Sequence, residues 1–124
     1  MSGPEAPALP LVFEDVTLRG RGGAVLLHDL RFRVEAGTST VVLGPNGAGK
    51  TLLLRLANGL VRPSRGRVHW AGPGGARAAE ARALVFQRPV LLRRSVAANV
   101  DYALRVRGVP RAEGRGRRER VLEA

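Results

Sequence analysis

The chain has 124 residues, 44% of them apolar, and a formal net charge of +11 from 21 basic and 10 acidic side chains. That length suggests one domain at most, and no apolar run approaches the roughly 20 residues that a membrane-spanning helix needs. There is no cysteine, which excludes a disulfide framework and a thiolate metal site and is compatible with a reducing compartment.

Met1 to Pro10 is rich in Pro and Ala and lacks both a basic start and an apolar stretch, so it reads as a short disordered leader rather than a signal peptide. Leu11 to Leu18 alternates loosely as a strand, and Gly20 to Gly23 is a turn. Leu30, Phe32 and Val34 then alternate with Arg31, Arg33 and Glu35, which predicts an antiparallel strand with one wet face, closed by Ala36-Gly37. Thr38 to Leu43 is β-branched and ends apolar, predicting a further strand.

The most specific signal follows. Gly44-Pro45-Asn46-Gly47-Ala48-Gly49-Lys50-Thr51 fits G-x-x-x-x-G-K-[ST], and Lys50 is the only lysine of the chain. In such a loop the backbone N–H groups turn inward to cradle phosphate oxygens, and a compact ammonium reaches the terminal phosphates. Arginine, a wide planar fork, would not fill the cradle as a point charge does, which is a chemical reason for a lone lysine in an arginine-rich chain. Thr51 would put its hydroxyl on Mg²⁺, and the opening helix would add its positive end to the anion site. Leu52 to Ala57 supplies that helix, with Asn58-Gly59 as its stop signal. The motif therefore implies a nucleoside triphosphate with magnesium.

Beyond it, Pro63-Ser64-Arg65-Gly66 turns into a strand at Arg67 to Trp70, and Ala71 to Gly75 makes another turn. Ala83-Leu84-Val85-Phe86 is a continuous apolar run of the kind found in a buried strand. Ser95 can cap a helix with Val96, Val100, Ala103 and Leu104 on one face and with Asp101 and Arg105 paired four residues apart, ended by Gly108 and Pro110. Arg111 to Ala124 reads as another helix, weakened by Gly114 and Gly116.

The charge is unevenly spread. Residues 1–60 carry six basic and five acidic side chains, a net of +1, whereas residues 61–124 carry fifteen and five, a net of +10. A compositional bias toward Ala, Gly, Pro and Arg, which writes Arg wherever any long cation would do, is the first reading of this excess. A docking surface for an acidic partner or lipid headgroups is the second reading. Nucleic acid ranks last, because only Trp70, Phe86 and Tyr102 supply rings for stacking in that half.

These residues resemble the ATP-binding subunits of ABC transporters, from Leu11 to Ala124. Four features in order carry the resemblance. They are the lead-in Leu26-Leu27-His28-Asp29-Leu30-Arg31-Phe32-Arg33-Val34-Glu35-Ala36-Gly37; the phosphate loop with the Leu53 to Val68 continuation; Val85-Phe86-Gln87, which resembles the strand end called the Q-loop; and Ser95-Val96-Ala97-Ala98-Asn99-Val100, which resembles the opening of the helical subdomain. The implied fold is α/β, a P-loop NTPase of the ABC type, truncated, with an antiparallel β lead-in and the start of the helical subdomain. Residues 11–87 would form the P-loop core, and residues 88–124 the Q-loop exit and an incomplete helical subdomain.

The resemblance also implies roles. Gly44, Pro45, Asn46, Gly47, Ala48 and Gly49 would wrap the ATP phosphates, Lys50 would neutralise them, and Thr51 with Gln87 would hold Mg²⁺. Gln87 would also orient the attacking water. The segment from Arg88 to Asn99 would grip a membrane permease subunit, with a second ATP-binding subunit completing the site at the cytoplasmic face of the membrane. Where the family places an aromatic ring to stack on adenine, this chain has Arg21, whose guanidinium can also stack. Where the family has a second hydroxyl after the Lys-Thr pair, this chain has Leu52, losing one hydrogen bond worth about 0.5 to 1.5 kcal/mol.

The family's signature motif, the Asp-Glu that ends an apolar strand, and the switch histidine have no counterpart in these residues. His28 and His69 read as structural or surface histidines. Phosphoryl transfer needs a placed water, a base and charge stabilisation, so this chain alone is expected to bind nucleotide weakly or not at all and not to turn it over. Part of a parallel sheet would be uncovered, which predicts marginal stability. Within the resemblance, Val85 to Val96 and Asn99 to Leu104 are similar to importers of oxyanions such as tungstate, molybdate or phosphate. A soluble ABC-type ATPase acting on ribosomes or DNA, and a nucleotide-binding interaction module, remain as alternatives.

Overall fold

The computed structural model describes residues 8–77, 79 and 82–124, which form two compact units, one running to Leu84 and the other from Val85 to Ala124. Residues 1–7 of the expected leader lie outside the described residues. Its last part is tied down, since Ala71 N–H donates to the Pro10 carbonyl at 2.8 Å and Gly72 N–H to that of Ala8 at 2.9 Å.

The first unit is built on an antiparallel sheet of order β2-β1-β3, with β1 at Leu11–Arg19, β2 at Val25–Val34 and β3 at Arg65–Trp70. Helix α1 spans Lys50–Ala57, and a short 3-10 turn covers Gly75–Arg77. Leu11, Phe13, Val16, Leu18 and Leu56 form the buried core, so four of its five members come from the middle strand and the fifth from α1. Phe13 stacks on Phe32 of β2 with ring centroids 4.3 Å apart, and burial of a ring of that size contributes about 1.5 to 3 kcal/mol.

Strict alternation would have turned either Phe13 or Val16 outward. A bulge resolves this. Phe13 faces Phe32 and Val16 faces Leu30, so β1 carries one extra residue there, and Asp15 takes it up with a left-handed φ of 48°. The surplus is cancelled by an extra residue in β2, where Asp29 has a φ of 47° and Leu18 meets Leu27. Strand β3 follows the same bulge, and Gly66 makes this possible. Its φ is 76°, and a Cβ there would collide with the carbonyl oxygens of Glu14 and Asp15. The displaced carboxylates are used on the surface: Asp15 takes both Nε and an Nη of Arg31, and Glu14 accepts from Arg67. The Arg67 hydrogen bond holds the Glu14 carboxyl below the ordinary carboxylate range. Thr17, the one buried polar side chain among the described residues, accepts from Asp29 N–H at 3.3 Å.

Two strand expectations fail. Thr38 to Leu43 lies outside any ladder, with Val41 75% and Leu43 87% exposed. Ala83 to Phe86 is likewise unpaired, and Val85 is 87% exposed rather than buried. A strand exists only where a neighbour answers its N–H and C=O groups, and among the described residues none does so for these two runs.

The second unit contains α2, at Val96–Val106, and α3, at Arg111–Glu123. Ser95 caps α2 as expected, its hydroxyl accepting from Ala98 N–H at 3.2 Å. The expected apolar face of α2 is only half realised, since Val100 and Leu104 are half-buried while Val96 and Ala103 are exposed. The Asp101–Arg105 pair does not form. Asp101 pairs instead with Arg118 of α3 at 2.9 Å, because the neighbouring helix brings a guanidinium to its carboxylate.

Candidate functional site

The phosphate loop is set by its neighbours on both sides. Its last glycine, Gly49, occupies the residue before α1 with a φ of 89°, and a Cβ there would lie 2.6 Å from Cδ2 of Leu27 on β2. The positive φ is what calls for glycine, and any side chain added there would also have to displace the end of Leu27. Ala48 N–H closes the loop's turn on the Pro45 carbonyl at 3.2 Å, and Leu53 N–H makes the first helical bond to Gly49 at 2.9 Å. At its other end α1 closes with the hydrogen bonds Gly59 to Leu56 and Leu60 to Arg55, the pairing that a left-handed glycine after a helix produces.

Lys50 is the first residue of α1, and its side chain doubles back across the loop. Its Nζ donates to the Gly44 carbonyl at 2.6 Å and to the Pro45 carbonyl at 2.7 Å. Two of the three ammonium donors are thus spent on holding the loop closed, which leaves one for a ligand. The opening N–H groups of the helix have no intrahelical acceptor, and no side chain caps them. A cation, an uncapped helix start and a backbone turned by glycine form a site that suits an oxyanion, so the residues fit the phosphates of a nucleotide. Thr51 is exposed in the first turn, where its hydroxyl is available to a phosphate-bound Mg²⁺. Among the described residues no group of three or more His, Asp or Glu gathers as a metal site of its own.

The structure therefore brings Gly44 to Thr51 together in one loop and helix turn. Arg21 lies outside it, on the exposed hairpin tip between β1 and β2. Gln87 lies in the second unit, in an exposed bend after the unpaired Ala83 to Phe86 run. Both histidines sit on strands of the sheet beside carboxylates: His28 Nδ1 is 3.9 Å from Asp29, and His69 Nε2 is 3.8 Å from Glu14.

Two contributors were not anticipated from sequence. Leu27 gave no signal beyond its place in an apolar pair, yet its side chain lies directly against Gly49. Asn99 carried a weak signal, being a poor helix former inside a helix. Its side chain knots the turn before α2, accepting from Leu92 N–H at 2.9 Å and donating to the Leu92 and Ser95 carbonyls at 3.1 Å each.

The glycine-rich loop, Lys50 and the helix that follows define the phosphate-loop class. Residues 27–123 match the family model described as ABC transporter, and the chain belongs to that family. It is 36% identical to the methionine import ATP-binding protein MetN of Nocardia farcinica, over 96% of this chain and 39% of that protein. It is 37% identical to the tungstate uptake system ATP-binding protein TupC of Peptoclostridium acidaminophilum, over 74% of this chain and 43% of the relative. Among solved structures it is similar to a bacterial Atm1-family ABC exporter with ATP bound, with a TM-score of 0.68 and 30% identity, covering 91% of this chain and 21% of that one. The chain thus spans about two fifths of the length of these import proteins. Among the described residues no helix is long and apolar enough to cross a membrane.

Proposed function

We propose that this chain is the ATP-binding portion of an ABC importer, in which Gly44 to Gly49 hold the nucleotide's phosphates, Lys50 neutralises them and Thr51 reaches their Mg²⁺. The observation that carries this reading is the clip of Lys50 Nζ onto the Gly44 and Pro45 carbonyls, which holds the loop in place before any ligand arrives. Bound Mg²⁺ would supply charge neutralisation across the β- and γ-phosphates. Gln87 is proposed as the second magnesium contact and the group that orients water, and Arg21 as the stacking partner of the adenine.

Import as the direction of transport is supported by the MetN and TupC likenesses, as are a permease partner, a second ATP-binding subunit and a place at the cytoplasmic face of the membrane. An oxyanion as the transported solute is supported by TupC, whereas MetN names methionine. The chain contains no apolar strand ending in Asp-Glu, so its proposed role when isolated is to bind ATP and not to hydrolyse it.

Titration of the full chain with a fluorescent ATP analogue and Mg²⁺ tests this. The expected result is weak saturable binding that falls about 10- to 100-fold in Lys50→Ala, the range for removing hydrogen bonds to a charged group, with phosphate release at background. Binding indifferent to Lys50→Ala would overturn the site. A hydrolysis rate that vanishes in that variant would overturn the claim of no turnover.

A further inference from the structure

The second unit holds a cavity of about 410 Å³ between α2 and α3 that the phosphate-loop reading does not use. Arg94, Arg105, Arg111, Arg115 and Arg118 line it, and Asp101 is the one carboxylate among its lining residues. That carboxylate is already committed to Arg118 at 2.9 Å, and Arg94 lies over the Tyr102 ring, 5.4 Å from its centroid. Among the described residues no carboxylate pairs with Arg105, Arg111 or Arg115. Three guanidiniums thus line one cavity without a carboxylate partner, an arrangement whose positive potential attracts an anion.

The backbone contributes in the same sense. Arg111 opens α3, whose preceding residue, Pro110, offers no side-chain cap, so the positive end of a 13-residue helix faces the same region. Gly114 is buried on the wall of the cavity, and a Cβ built there meets nothing within 4 Å, so the wall is held open by a missing side chain.

We infer that this cavity is a binding site for a compact, multiply charged phosphate group, of the size of pyrophosphate, separate from the phosphate loop. Guanidinium forks match phosphate oxygens two at a time, which favours this class over a monovalent anion. A concave cleft lined from two helices favours a compact free ligand over a lipid headgroup, which would be met on a flat face.

The test is calorimetric titration of the full-length Lys50→Ala variant with pyrophosphate, so that the phosphate loop is disabled and the two sites cannot be confused. Binding should persist in Lys50→Ala, weaken as salt rises, and fall about tenfold or more when Arg105→Gln or Arg111→Glu is added. Arg111→Glu places an acid in the first turn of a helix, where it favours the fold, so loss of binding there would not reflect unfolding. Gly114→Leu fills the cavity without changing charge and should also abolish binding. Vesicles of phosphatidylglycerol in phosphatidylcholine distinguish the source: capture that depends on Arg105 and Arg111, without pyrophosphate binding, would overturn the free-ligand assignment. Pyrophosphate binding lost in Lys50→Ala alone, or unchanged by Arg105→Gln, Arg111→Glu and Gly114→Leu, would overturn the site.

Discussion

The three-stranded sheet and the run from Thr38 to Leu43 belong to the same unit and are written in similar residues, yet they end in opposite states. Strand β1 is paired on both sides and supplies Leu11, Phe13, Val16 and Leu18 to the core. Thr38 to Leu43 pairs with nothing among the described residues and leaves Val41 and Leu43 in solvent. The difference is the partner. The sheet closes through a tight hairpin at Gly20 to Gly23 and through β3, all within 60 residues of sequence, whereas a parallel strand needs neighbours reached by long crossovers. The phosphate loop sits between these regimes. It takes its shape from a contact close in sequence, Lys50 to Gly44, and from Gly49 lying against Leu27 of the formed sheet, and so survives beside a strand that does not form.

This contrast can be broken at its stable end first. Phe13→Ala removes the ring that is 1% exposed and stacked on Phe32, and large-to-small changes of this kind cost about 3 to 5 kcal/mol. Chemical denaturation followed by circular dichroism should show the cooperative transition of the first unit lost or displaced far toward low denaturant. A variant that melted like the parent would show that β1 is not the core.

A smaller effect sharpens the comparison at the sheet surface. Because Arg67 lowers the folded-state pKa of Glu14 relative to the unfolded chain, the stability contributed by Glu14 is fully present above the ordinary carboxylate range. It is lost as pH falls through the lowered folded value. The raised pKa values of Arg31 and Arg67 matter only above the ordinary arginine range and add no pH dependence near neutrality. Acid titration of Glu14→Gln should therefore show a shallower decline in stability on acidification than the parent. An identical decline would remove the Glu14–Arg67 pair from the account.

What could be read in the sequence follows the same line between local and distant determinants. The hairpin, helix α1, the Ser95-capped helix α2, the glycine stop after Asn58 and the loop from Gly44 to Thr51 are written in residues a few positions apart, and each forms where expected. The paired bulges at Asp15 and Asp29 were not legible, because an aspartate in a left-handed conformation looks in sequence like an ordinary polar residue of a strand. Nor was the choice of Asp101, which prefers Arg118 on the next helix to Arg105 on its own. The strands at Thr38 to Leu43 and Ala83 to Phe86 were legible as β-prone apolar runs, but propensity cannot supply the hydrogen-bonding neighbour that makes a strand.

The central claim is that a formed phosphate loop and its helix stand beside an unformed strand at Thr38 to Leu43. Hydrogen exchange on the full chain, resolved by residue, tests it most directly. The account predicts slow exchange for the β1 amides that pair with β2 and β3, intermediate protection through Leu53 to Ala57 of α1, and near-unprotected exchange from Ser39 to Leu43. Protection of Ser39 to Leu43 equal to that of β1 would contradict it.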